Sequence, residues 1–323
     1  VNNHIFLATV LIILTLTAVA FGDWTYGGQW GTYGTGNGQF NLPAGLHVAP
    51  NDNVYVADTS NNRIQYFTAT GSYLGQWGSL GSGNGQFNIP YCLTVAPNSN
   101  VYVSDSNNRR IQYFNATGSY IGQWGSLGSG PGQFNLPQGV AVAPGSGNVY
   151  VCDRNNNRIQ YFTPTGTYLG QWGSLGTGNG QFDGPQGVAL TSSGTQYVTD
   201  MFNHRIQYFT GGSYLGQWGS LGTGNGQFNR PSGVAIAPDG NVYISDQMNY
   251  RVQYFTASGS YLDQWGSYGT GPGQFNYLYE LSFNTSGSRI YVIDAYNNRV
   301  QYFNWINTAV VPASLGQVRA LFK

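Results

Sequence analysis

Charge is what this chain has least of. Only 7% of its 323 residues are Asp, Glu, Lys or Arg, lysine occurs once, at Lys323, and twelve acids balance twelve bases. With no basic surplus there is no electrostatic footprint for phosphate, so nucleic acid is not expected as a partner. Histidine is as scarce: His4, His47 and His204 offer no pair at metal-ligand spacing, and no serine has a histidine and an acid in company. No metal or other cofactor is expected, and the chain is expected not to be an enzyme. The two cysteines, Cys92 and Cys152, fall in different parts of the chain and read as separate buried thiols in preference to a disulfide.

In place of charge stand 48 glycines and an aromatic fraction of 15%, the mark of a turn-rich, well-packed β protein. A Gly-Gln-Phe signature recurs with its phenylalanine at 40, 87, 134, 182, 228 and 275, in steps of 47, 47, 48, 46 and 47. A period in the forties indicates a propeller or a solenoid. Within the first unit the stretches 46–49, 53–57, 63–67 and 73–77 are rich in Val, Ile, Tyr and Phe, which is strand chemistry. Four antiparallel strands per unit make a propeller blade, whereas a solenoid coil of that length would carry a helix.

The tryptophan of the fourth strand occurs at 77, 124, 172, 218 and 265, and once more at Trp30, ahead of the first signature. Residues 24–31 are therefore expected to complete the blade that begins near Leu278, which removes the edges an open array would expose. The fold class expected is all-β: a six-bladed propeller of four-stranded antiparallel blades closed by an N-terminal strand and preceded by one hydrophobic N-terminal α-helix. The domains are 1–22, the hydrophobic segment; 23–303, the propeller; and 304–323, a strap along one face.

The recurring Pro-x-Gly-Val-Ala-Val, Val-Tyr-Val-x-Asp and x-x-Asn-x-Arg-Ile-Gln-x-Phe, each unit closed by a Gly, resemble the NHL repeat over roughly Trp24 to Phe303. The resemblance implies a six-bladed ring. Propellers of that kind include peptide-amidating lyases, RNA-binding regulators, sensor domains of receptor kinases and plain binding modules, so it implies no single activity.

Residues 5–22 carry no charge and could span a bilayer as a helix. Three readings compete: a signal peptide cut after Ala18-Val19-Ala20, a permanent anchor, or an assembly helix behind a processed terminus at Val1. The last layout, a short apolar helix joined to a β-rich head, resembles the type IV pilin-like subunits of extracellular filaments. All three place the propeller at the cell surface or beyond it, where the sequons at Asn115 and Asn284 would be glycosylation candidates.

The charge that is present is mostly spent in a repeated pair. Asp58, Asp105, Asp153, Asp200, Asp246 and Asp294 each precede Arg63, Arg110, Arg158, Arg205, Arg251 and Arg299 by five residues, with Asn61 or its equivalent between. A single active site does not need six copies, so the set reads as structural, with Asn satisfying the turn and Arg the carboxylate. The glycine-rich connectors, such as Gly78 to Gly85, read as tight turns. No helix or lysine follows them to make a phosphate cradle.

Where the copies differ, a site is legible. The residues after the repeat proline (Tyr91, Gln138, Gln186, Tyr279 and Glu280) and the turn residues Met201, Phe202, Met248 and Tyr296 are expected at one mouth of the channel. That surface would be neutral, aromatic and amide-rich, suited to protein or glycan. The function expected is a non-enzymatic cell-surface display protein, a subunit of a pilus-like filament that self-associates through its N-terminal helix and meets membrane at least transiently. A secreted or tethered binding module is the alternative, and a lyase- or lactonase-type enzyme the outsider.

Overall fold

Six four-stranded antiparallel sheets follow one another in the computed structural model, which describes residues 23–306. The first blade is Leu46–Val48, Val54–Asp58, Arg63–Phe67 and Tyr73–Trp77, and the next four repeat that order. In the sixth, Leu278–Phe283, Arg289–Asp294 and Arg299–Ile306 are joined by Asp23–Trp30 as the outermost strand. The first strand of the chain thus closes the ring. The third strand of that blade runs to Ile306, so the first residues assigned to a strap are sheet. The helix expected over 1–22 lies outside the described residues, as does the strap beyond Ile306. Among the described residues the helical elements are short 3₁₀ turns such as Thr59–Asn61 and Arg154–Asn156.

By its contacts the chain divides into residues 25–304, the propeller, and a unit to which Trp24 and Trp305 belong, their rings edge-on at 5.1 Å.

Burial along each blade follows from its place in the ring. Val54–Asp58, the second strand, is buried at every position, because neighbouring sheets cover both of its faces. Tyr73–Trp77, at the rim, alternates between partly buried and exposed. The core lies in layers between adjacent blades. In one, the signature Phe40 packs with Leu46, Val56 and Phe67 of blade one and Tyr291 and Ile293 of blade six. The glycine that follows each tryptophan is forced by this packing. At Gly78, with φ +103°, a Cβ would stand 2.6 Å from the Phe87 ring.

Candidate functional site

One face of the ring, here the upper, carries the turns between second and third strands and the connectors between blades; the lower face carries the other turns. On the upper face each repeated ion pair ties a connector down. Arg63 Nε donates to Asp58 Oδ2 at 2.7 Å, and its Nη1 and Nη2 reach the carbonyls of Thr35, Gly36 and Gln39 and Gln76 Oε1 at 2.7–2.9 Å. Asn61 donates to Asp58 and to the Gly34 carbonyl, while the Asn41 N–H donates to Asp58 Oδ1. The same set recurs at Arg110, Arg158, Arg205, Arg251 and Arg299, each within 2.6–2.8 Å of its aspartate. Burial pushes the Asp58 carboxyl up, and the Asn41, Asn61 and Arg63 donors pull it back.

At the axis the first strands of blades two to six each carry a bulge. Pairing slips between Pro137 and Val140, and likewise between Pro90 and Leu93, and between Leu278 and Leu281. A bulge re-aims the residues it releases. Here those residues are Tyr91-Cys92, Gln138-Gly139, Gln186-Gly187, Ser232-Gly233 and Tyr279-Glu280. The second of each pair is glycine where blades crowd: a Cβ on Gly139 would meet the Gln186 carbonyl oxygen at 2.3 Å, and one on Gly187 the Ser232 oxygen at 2.5 Å. Cys92 and Glu280 break that rule. Cys92 Sγ donates to Glu280 Oε2 at 3.5 Å.

Below them the axis opens into a funnel of about 430 Å³. Its walls are first-strand side chains, among them Val140, Val142, Val188, Leu190, Val234 and Ile236, with His47, Thr94 and Ser282 as polar breaks and Glu280 at the closed end. Burial raises the Glu280 carboxyl to about 7, opposed by the N–H groups of Leu281 and Val234 and the Cys92 thiol. The thiols of Cys92 and Cys152, both buried and free, are pushed well above the ordinary range, by burial first and by Glu280 second. Burial also lowers His47 to about 4, so its ring is neutral at pH 7, with Nδ1 accepting the Val95 N–H at 3.3 Å.

The residues expected at an upper mouth do converge there, but largely as a plug. Tyr91 and Tyr279 meet edge-on at 5.5 Å, and Gln186 Nε2 donates to the Tyr91 hydroxyl at 2.7 Å. Gln138, Gln186 and Met201 are buried, and the void beneath the rings, about 10 Å³, is the size of one water. Met248 is partly buried; Phe202 is exposed between the Arg154 and Arg230 guanidiniums, at 5.2 and 5.6 Å. Tyr296 is exposed and stacked on Tyr277 at 4.5 Å. Asn115 and Asn284 lie on lower-face turns, where Asn115 Oδ1 accepts the Ser119 N–H and Asn284 Nδ2 donates to Ser286. The funnel itself escaped the sequence reading. The signal for it was the run of small and branched residues after the bulge, which looks the same in a filled axis and in an open one.

Comparison with known proteins agrees with this geometry. The NHL repeat model matches residues 40–67 and 134–162, and a six-bladed β-propeller family model matches 227–309. No curated protein matches at a significant level. Among solved structures, virginiamycin B lyase from Staphylococcus aureus is 15% identical, with a TM-score of 0.60 over 88% of this chain and 100% of that one. A gluconolactonase from Xanthomonas campestris is 13% identical, with a TM-score of 0.63 over 84% and 88%. A protein of unknown function from Bacteroides thetaiotaomicron is 18% identical, with a TM-score of 0.67 over 86% and 76%.

At such identities the likeness is one of fold, yet it corrects one expectation. The argument against an enzyme rested on repetition and on scarce histidine, and rings of this shape include a lyase and a lactonase. Repetition of the scaffold therefore excludes nothing about the axis, where the non-repeated Glu280 and Cys92 stand. The chain carries NHL repeats and is a six-bladed β-propeller closed by its own first strand.

Proposed function

We propose that the protein works through its axial funnel, as a receptor for a small and mostly apolar molecule bearing one basic or hydrogen-bonding group. One arrangement supports this: a carboxyl at the closed end of a 430 Å³ apolar cavity, with burial setting its pKa to about 7. Near neutrality such a group accepts a proton from a bound molecule as readily as it gives one. A lyase or lactonase reaction on that molecule would need a proton acceptor at this place, and Glu280 is the side chain in position to serve.

The setting we propose is the cell surface, with residues 5–22 carrying the propeller and, in the fullest form, packing with their copies in the core of a pilus-like filament. Support for that comes from the sequence: an uncharged run and a surface almost without lysine. N-terminal sequencing of the mature protein tests it, since a chain starting at Phe21 would have lost the core segment.

The funnel is tested with hexylamine, hexanol and hexanoate at pH 8, read as shifts in melting temperature. Hexylamine should stabilise the wild type most, and Glu280→Gln should remove its advantage over hexanol. Equal shifts for amine and alcohol in the wild type, or an amine shift that survives in Glu280→Gln, would reject the reading.

A further inference from the structure

Each connector holds out a large apolar side chain that the core does not need, more exposed than Leu74, Ile121, Leu169 and Leu215 of the outer strands. Tyr33, Leu80, Leu127, Leu175, Leu221 and Tyr268 occupy the same place in the six connectors and are 71, 67, 64, 66, 62 and 65% exposed. Packing alone does not ask for leucine there. Nor are the connectors loose. Around Leu80, Arg110 holds the carbonyls of Ser82, Gly83 and Gln86, and Asn108 holds that of Gly81.

All six connectors cross the upper face, which is also the basic face. Apart from the repeated ion pairs, its turns and connectors carry Arg109, Arg154 and Arg230 against Asp183 alone, three bases to one acid. Two of those arginines flank the exposed Phe202. Among the described residues the lower face carries Asp52 and Asp239 on its turns and Arg289 beside one, its guanidinium bonded to the Ala69 carbonyl.

We infer that the upper face docks on an anionic lipid surface, the six connector side chains entering the interface and the three arginines meeting headgroups. Six apolar residues set one to a connector, each between Gly and Ser or Thr, with Tyr268 alone meeting another ring among the described residues, that of Tyr250 at 5.0 Å, make no continuous patch for a protein interface core. A laterally uniform, flat partner meets all six in the same way. Tyrosine at two of the positions suits the boundary between headgroup and acyl chain, and the excess of arginine sets the sign of the surface.

The test uses the full chain, and because residues 5–22 are themselves apolar the readout must be local. Leu127→Cys, Leu221→Cys and, on the lower face, Asp239→Cys are each labelled with an environment-sensitive fluorophore. Each is mixed with vesicles of phosphatidylcholine and phosphatidylglycerol at 3:1, and with phosphatidylcholine alone. A blue shift at 127 and 221 with the anionic vesicles, quenched by brominated acyl chains and absent at 239, is the expected result. Replacing Leu127, Leu175 and Leu221 together by Ser, in protein labelled at Leu80→Cys with residues 5–22 intact, should lower the affinity of the upper face for these vesicles at least roughly tenfold, read by quenching of that label. Arg109→Gln with Arg230→Gln should weaken the response to the anionic vesicles and its salt dependence. No shift at 127 and 221, an equal shift at 239, or a shift that follows protein concentration without lipid would overturn the proposal, the last in favour of contact between two copies.

Discussion

Cys92 Sγ and Glu280 Oε2 stand 3.5 Å apart at the axis, brought together across 188 residues of sequence. The blade between them leaves room because its own residue at this place is Gly45, where a Cβ would stand 2.6 Å from Cys92 Cα. The contact favours the charged carboxylate and burial the neutral carboxyl, and burial outweighs it, which gives a pH signature. Glu280 ionises near 4.5 in an unfolded chain and at about 7 in the fold. The fold therefore binds the proton more tightly, and stability contributed by the neutral carboxyl is full below pH 4.5 and lost as pH rises to about 7. Glu280→Gln should accordingly gain stability relative to wild type across that window, with a level difference above it. Urea unfolding of both proteins from pH 4 to pH 8 reads the difference.

Arg158→Lys should cost about 3 kcal/mol in urea unfolding. The guanidinium makes five bonds at once, to Asp153, Ser129, Gly130, Gln133 and Gln171, and an ammonium cannot span them. A loss below about 1 kcal/mol would mean that the network is replaced by water at little cost.

Arg109 closes its turn in the left-handed region at φ 54°, a place held by Asn62, Asn157 and Asn298 in other blades. In those blades the asparagine Oδ1 accepts an N–H from the following blade, that of Ile89, Gly184 and Leu42 respectively, at 2.9 Å. Arginine has no acceptor to offer. Arg109→Asn should restore the bond to Leu136 and relieve the backbone, raising stability by about 1 kcal/mol in the same assay.

Trp30 does for the closing strand what Trp124 does inside blade two. It packs at 5.7 Å on Phe67 and 6.0 Å on Tyr291, as Trp124 packs at 5.5 Å on Phe162 and 6.1 Å on Tyr102. Trp30→Ala and Trp124→Ala should therefore destabilise alike, by about 3 kcal/mol each. A near-neutral Trp30→Ala in differential scanning calorimetry would show that the ring holds without its clasp.

Tyr279 and Tyr91 seal the axis from above. Tyr279→Ala should open a path from the upper face to Cys92, and modification by an aromatic disulfide reagent at pH 8 should accelerate several-fold over the slow wild-type rate. The Cys152→Ser background assigns the signal to Cys92, and an unchanged rate would place the reagent's entry on the lower side.

Much of the ring was legible because its cues are local and repeated six times. Val54 to Asp58 reads as a strand from its own residues, and Trp30 announces a displaced fourth strand by matching Trp77. The axis was not legible in that way. Whether Gln138 and Gln186 face solvent or fold into a plug depends on how far five bulges tilt their residues inward, a property of the closed ring that no one unit encodes. Glu280 could be placed near the channel from its register, but its shifted ionisation comes from first strands of other blades. Low charge and scarce histidine misled about catalysis for a related reason: they describe the whole surface, and a site needs only a few side chains in a dry place.

Asn304 and Thr25 lie in adjacent strands, bonded through Thr25 Oγ1 at 3.3 Å across 279 residues. During synthesis the strand Asp23–Trp30 must wait, unpaired, until the third strand of the sixth blade has left the ribosome. A product truncated by even one unit would hold a strand with nowhere to dock. For this architecture incomplete translation is thus a direct source of sticky intermediates, and chaperone demand should track the time between the birth of its two ends.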